Sequence, residues 1–421
     1  MIDIRLDSQA VIADLDELAA QSGGRFAGAK RLAWSPQWLE ARSWLTSKLT
    51  TLGLAPERDQ AGNLWGRIDG DDDRFLMVGS HIDAVPDGGW LDGALGLLTA
   101  LETMRQVGRA GSRPPIGVRF VDWADEEGAR FGRSLIGSSA CAGSLEPDEV
   151  RGLRDADGIT VADALAACGV DLDGAPAAAE RLTGAIGYLE LHIEQGPVLL
   201  DGGRLASAVS GTFGVERHAM TFVGQAAHAG STPMRLRQDS LAAAAHAALT
   251  IRESAIAHQG VATVGRMEST PGVVTAVAGR TEMQLDQRHL DPNELAAMLA
   301  EAHEACRDAA DRFNCTLEVL EVFRAAPTAF DATLVELARS SVEQAGGDAQ
   351  EPIPSGPLHD ATEIGRVVPT AMIFAQSDPP ISHAAIEDSP ERALSVAIDA
   401  YGQTVARVLD RVGEITTQGA G

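Results

Sequence analysis

Three short apolar runs, RFLMVGSHID (74–83), IGVRFVDWA (116–124) and GYLELHI (187–193), each run directly into histidine or acidic residues. Runs of this length that are apolar almost throughout read as buried strands, and helical periodicity through ALGLLTALETMRQVG (94–108) follows the first of them. Strands alternating with helices predict an α/β sheet covered on its faces, and such sheets place ligand sites at the carboxyl ends of their strands. The acidic and histidine residues stand at those ends. Two amphipathic stretches, 8–22 and 36–53, precede the first run, while VVPTAMIFA (367–375) and ERALSVAIDAYGQTVARVLDRV (391–412) predict another buried strand and a closing helix.

Between them the rhythm changes. FGVERHAMTFVG, DSLAAAAHAALTIRESAIA, VATVGRME, TEMQLDQRH, DPNELAAMLAEAHEACRDAADRF and CTLEVLEVF follow one another as strand, helix, strand, strand, helix, strand, the βαββαβ order of a ferredoxin-like unit. The expected organisation is a discontinuous catalytic domain, 1–212 and 326–421, built on a mixed sheet flanked by helices, with a smaller ferredoxin-like domain, 213–325, inserted in it. A chain of 421 residues, 45% hydrophobic, is long enough for both.

With 34 basic against 60 acidic residues and a net charge of −26, a nucleic-acid backbone or an anionic membrane is repelled. No basic leader with an apolar core opens the sequence, and no segment has the uninterrupted apolar length of a span. Cys141, Cys168, Cys306 and Cys315 are scattered without CxxC spacing, so neither a disulfide framework nor a thiolate metal site is expected. These features predict a cytoplasmic protein.

Histidine and carboxylate groups concentrate in GSHIDAV (His81, Asp83), WLDGALG (Asp92), ADEEGARF (Glu126, Glu127), LHIEQGP (His192) and ISHAA (His383). A pair of divalent cations needs nitrogen and oxygen ligands and a carboxylate that bridges both ions, offsetting their repulsion. Asp92 fills the bridging position, His81 and His192 serve one ion, and Glu127 and His383 the other. Glu126, beside a ligand without being one, is then the general base. Taken singly, each histidine reads as an ordinary hydrogen-bonded residue and the Glu-Glu pair as a solvated turn; the conjunction carries the reading. Zinc comes first for such a set, and manganese, cobalt or nickel are also accepted.

These motifs resemble the zinc-dependent amidase and carbamoylase family, which includes N-carbamoyl-L-amino acid hydrolases, allantoate amidohydrolases and ureidopropionases, within the aminoacylase-like metallopeptidases. The resemblance spans nearly the whole chain. It implies the metal assignment above, Glu126 as general base on a metal-bridging water, and a homodimer formed through the inserted domain, which also acts as a lid. The histidine of H-x-E-Q-G-P, where peptidase relatives carry an acidic ligand, points to the carbamoylase branch. The resemblance further implies that His228, in GQAAHAGSTPM, polarises the scissile carbonyl, that Arg288 grips the substrate carboxylate, and that Gln195 and Arg217 touch the substrate. A strand-end cap for His228 and a solubilising role for Arg288 are the plain alternatives.

Departures fall in the pocket. PGVVTAVAG places Thr275 where the family has an asparagine, SGPLHD places Leu358 where it has a glycine, and PPISH brings Pro379 and Pro380 to the last ligand. His359 and Asp360 are retained and, with Asp83, are expected to support the site. Shared chemistry on a different substrate is the implication. An aminoacylase or dipeptidase-like exopeptidase and a non-catalytic metal-binding scaffold are the competing readings.

Overall fold

The computed structural model describes residues 4–110, 113–347 and 350–412. Two compact units divide the chain: Met1–Gly211 with Phe330–Gly421, and Thr212–Ala329.

In the first unit the strands are β1 (Glu57–Arg58), β2 (Leu64–Ile68), β3 (Phe75–His81), β4 (Gly117–Trp123), β5 (Ala185–Ile193) and β6 (Ala206–Thr212). The second unit holds β7 (Gly214–Val223), β8 (Ala227–His228), β9 (Val261–Thr270), β10 (Ala276–Val277), β11 (Arg280–His289), β12 (Thr316–Ala325) and β13 (Thr328–Ala329). After it, β14 (Ile353–Ser355) and β15 (Thr370–Ala375) return to the first unit.

One mixed sheet of nine strands organises the first unit, in the order β1-β2-β4-β3-β5-β15-β6-β13 with β14 paired to β6. Its centre is parallel: β3 pairs with β4 and β5, and β5 with β15, all in the same direction. Antiparallel strands flank it, β2 against β4 and β6 against β15. Parallel strands need both faces covered, and β3 and β15 are buried at every position. Helices Ala94–Arg109, Ala332–Gln344 and Glu391–Asp410 supply cover. Each fully buried Leu, Val or Phe side chain contributes about 1.5–3 kcal/mol relative to exposure, and Leu76, Val78, Phe120, Leu191 and Phe374 are among those that do so here.

Helix starts follow local chemistry. Asp7 accepts from the Gln9 and Ala10 N–H groups ahead of the helix Ser8–Ala20, and Ser35 caps Pro36–Thr51 with proline in its first turn.

The second unit has its own sheet, order β12-β7-β11-β9, antiparallel throughout. Helices Ser240–Ala257 and Pro292–Arg312 pack on it around Met220, Phe222, Ala247, Met283 and Cys306. β12 forms one edge, with Leu320 66% and Val322 58% exposed. All four cysteines are buried free thiols. Among the described residues no helix is long and apolar enough to cross a membrane.

Candidate metal centre

Because the central strands run in parallel, their carboxyl ends deliver side chains to one place. His81 ends β3, His192 lies near the end of β5, Glu126 and Glu127 follow β4, and His383 lies on the loop after β15. Asp92 precedes the helix Ala94–Arg109. Gly93 between them has φ +64°, and a side chain there would enter the His81 imidazole, its Cβ coming within 2.3 Å of Cε1. The L-D-G-A spelling follows: glycine lets the bridging residue turn against the histidine.

Asp92 offers its two oxygens to two histidine sets. Oδ1 lies 3.2 Å from His192 Nε2 and 3.7 Å from His81 Nε2. Oδ2 lies 3.5 Å from His383 Nε2, which is also 3.3 Å from Glu127 Oε2. The two groupings, His81 with Asp92 and His192, and Asp92 with Glu127 and His383, each hold their ligand atoms within 4.8 Å. His81 Nδ1 is 3.1 Å from the Asp83 carbonyl and His192 Nδ1 is 2.9 Å from the Ile193 carbonyl. Donation to those carbonyls puts the proton on Nδ1 and turns each Nε2 lone pair toward Asp92, the orientation a metal-binding imidazole takes.

The donor set fits cations on two further grounds. His81 Nε2 is buried with no hydrogen-bond partner. Carboxylates also crowd the site: Asp83, Asp92, Glu126, Glu190, Asp360 and Glu387 are all buried, and such a density of negative charge in a low dielectric calls for positive charge to balance it. Burial pushes Asp83 up to about 6 and, with Asp83 beside it, Asp125 up to about 8. Glu126 is driven well above the ordinary carboxylate range by burial, then by Asp360 and Glu127.

Supporting residues hold these loops. Asp83 accepts from the Glu126 and Glu127 N–H groups at 3.3 and 3.2 Å. Arg42 donates to Asp122 at 2.7 Å, and Asp122 in turn receives the Ile82 N–H. Trp34 donates to Asp125 at 2.6 Å. His359 is buried, its Nε2 2.9 Å from Ser355 Oγ and its ring 4.5 Å from that of His192. Leu358, before it, is half-buried. Gln195 donates through Nε2 to Asp92 Oδ2 at 2.8 Å, while its Oε1 is buried without a partner.

Buried carboxylates not singled out in the sequence include Asp122 and Asp125, described above, and Glu190 and Glu387. Glu190 accepts from Ser80 Oγ, Tyr188 OH and Ala361 N; its place two residues before His192 on β5, the same strand face, was a usable signal. Glu387 accepts from Leu91 N and Asp92 N, and nothing in IEDSP distinguishes it from a solvated turn.

In the second unit His228 lies on β8, exposed, and pairs with Ala276 of β10. Its Nδ1 accepts from the Gly230 and Ser231 N–H groups, both at 3.1 Å; in the neutral ring the proton is therefore on Nε2, an outward donor. Thr275 is its neighbour, its carbonyl accepting from Ala229 N. Arg217 and Arg288 both bind Asp286, each through Nε at 2.8 Å. Arg288 lies at the far end of β11 from Arg280, about 26 Å of strand at roughly 3.3 Å per residue, whereas His228 lies at the Arg280 end, where Gly224 N meets Gly279 O.

The model of peptidase family M20/M25/M40 matches residues 77–407, a stretch that holds His81, Asp92, Glu126, Glu127, His192 and His383. The chain belongs to peptidase family M20/M25/M40. M20 enzymes are metal-dependent hydrolases, and the donor set suits that chemistry. The chain is 34% identical over 395 residues to the N-carbamoyl-L-amino acid amidohydrolase of Geobacillus stearothermophilus, covering 93% of this chain and 95% of that one. It is 33% identical over 379 residues to the allantoate amidohydrolase of Escherichia coli (strain K12), covering 89% and 92%. A solved structure of an amidase of the hydantoinase/carbamoylase family from Burkholderia multivorans superposes with a TM-score of 0.87 at 30% identity, covering 96% and 98%.

Proposed function

We propose that this M20 amidohydrolase cleaves a carbamoyl or amide C–N bond of a small carboxylate-bearing substrate, of the class that includes N-carbamoyl amino acids and allantoate. The observation that carries it is Asp92, one oxygen toward His81 and His192, the other toward His383, with Glu126 3.8 Å from His81. The cofactor is a pair of divalent cations, zinc first, held by His81, Asp92, Glu127, His192 and His383. Once bound, such ions would polarise a carbonyl and lower the pKa of water toward neutrality.

Glu126 is the general base. Set 3.8 Å from His81 Nε2, beside the ligand cluster, it takes a proton from the attacking water and delivers it to the departing nitrogen. The Nε2–H of His228 is the donor for the developing oxyanion, and Arg288, with Arg217 and Asp286 fixing its fork, takes the substrate carboxylate. Gln195 contributes its free Oε1 to a substrate N–H, and Thr275 and Leu358 shape the pocket. With a ureido substrate the products are an amine, ammonia and carbon dioxide.

The domain reading is part of the proposal: a catalytic domain over 1–212 and 326–421, and a ferredoxin-like lid and dimerisation domain over 213–325. The strand order β12-β7-β11-β9 with two helices on one face supports the ferredoxin-like name. The exposed Leu320 and Val322 on an unpaired edge strand support a homodimer through that domain. So does the span between His228 and Arg288, which is too long for one small substrate to touch both from a single copy. A cytoplasmic location accords with four free buried thiols.

A metal-replete screen of ureido acids, allantoate and N-acyl amino acids, reading ammonia against amino acid release, tests the reaction. Turnover confined to N-acyl amino acids or dipeptides, without ammonia, overturns it.

A further inference from the structure

We propose that Glu387 is a positioning residue that sets the spacing between the two halves of the metal centre, an inference that rests on the reading of Asp92 and His383 as ligands. Glu387 is 0% exposed, on the loop between β15 and the helix Glu391–Asp410. Its Oε1 accepts from Leu91 N at 3.1 Å and Asp92 N at 3.0 Å, fixing the backbone of the bridging residue. Its Oε2 meets Ser382 Oγ at 2.5 Å. Ser382 immediately precedes His383 and lies 2.8 Å from Asp92 Oδ2. One carboxylate therefore ties together two loops that are 295 residues apart in sequence and carry a ligand each.

Burying a carboxylate against Asp92 is unfavourable, since like charges in a low dielectric repel. A plain loop tie would not need the charge. The site instead places a two-oxygen acceptor at a point where two N–H groups and a hydroxyl converge, so that one side chain accepts all three. The surroundings are cut to fit. A Cβ on Gly89 would come within 1.9 Å of Glu387 Oε1, so glycine there leaves the carboxylate its place. The buried Arg31 guanidinium, whose Nε donates to Ile82 O, lies close enough to feel Asp83, Asp92 and Glu387.

His383 depends on this tie more than the other ligands do. Its side chain is 53% exposed, whereas His81 and His192 are each 1% exposed and are oriented by carbonyls of their own strand ends. Loss of Glu387 thus releases the ion held by Glu127 and His383 first.

The test is equilibrium dialysis against Co²⁺ or Zn²⁺, with metal counted by mass spectrometry and the cobalt absorption spectrum recorded, on wild type, Glu387→Gln, Glu387→Ala and Gly89→Ala. Where wild type holds about two ions per chain, Glu387→Ala falls to about one, the weaker ion losing roughly 10–100-fold in affinity. Glu387→Gln lies between, because its amide oxygen still accepts from the backbone. Gly89→Ala, which leaves Glu387 in the chain but evicts its carboxylate, matches Glu387→Ala; it decides the matter if Glu387→Ala misfolds by circular dichroism. Wild-type affinity for both ions in Glu387→Ala and Gly89→Ala overturns the proposal. A wild type that holds no ion overturns the metal reading itself, a result distinct from the first.

Discussion

Glu126 Oε2 lies 3.8 Å from His81 Nε2, outside hydrogen-bond reach and beside the ligand cluster. A carboxylate held there would be adjacent to an ion on the His81 cluster without being committed to it, as the proposed base must be. Glu126→Gln keeps the shape and removes the basicity. We expect kcat to fall by about 10²–10⁴-fold with metal content unchanged by atomic absorption; activity within a few fold of wild type removes Glu126 from the base role.

Chelation should act on stability as well as activity. Ions bound only by the folded chain stabilise it by mass action, about 4 kcal/mol for each site held at a thousand times its Kd. Dialysis against a chelator is expected to abolish turnover and lower the melting temperature, with both restored by one added divalent ion. Calorimetry of apo and reloaded protein checks this, and superimposable melts count against a metal centre.

Much of this arrangement is legible in the sequence because burial and chemistry coincide there. β3, β4 and β5 are apolar almost throughout, so their strand character and the polar residues at their ends stand out together. β6, spelled ASAVSGT, escapes the pattern: small and hydroxyl residues give little apolar signal, and its place comes from pairing with β15. The partners of Asp92 are equally silent. Gln195 is expected as a substrate contact from its motif, yet its amide donates to Asp92, a bond set by the positive φ of 61° that turns the residue inward. Such contacts are decided by loops that meet only in three dimensions, and local spelling carries no record of them.

Stability of the site's platform rests on the middle of the sheet. Phe120 on β4 is fully buried, a few residues before Glu126. Phe120→Ala is expected to cost about 3–5 kcal/mol, measured by urea denaturation, and to weaken metal retention with it. A loss below about 1 kcal/mol would show that the sheet collapses around the vacancy.

In the second unit a histidine ties two helices together. His258 caps the helix Ser240–Ala257 and meets Glu294 at 2.6 Å and Glu301 at 3.0 Å, both on Pro292–Arg312. The Glu294 hydrogen bond, then that of Glu301, raises its pKa above the ordinary 6.5. The protonated ring therefore contributes its stabilisation in full below that value and loses it as pH climbs through the folded pKa. Titration by NMR should place the His258 midpoint above 6.5, and Glu294→Gln should lower it; a midpoint unmoved by that substitution refutes the assignment.

Phe330 N donates to Ser210 O at 3.1 Å, so the chain leaves the first unit and re-enters it at adjoining points. A segment whose departure and return coincide can be gained or lost without rethreading the sheet around it. Excising 213–327 with a short turn in its place is therefore expected to leave a first unit that still folds, its sheet keeping β6 and β13.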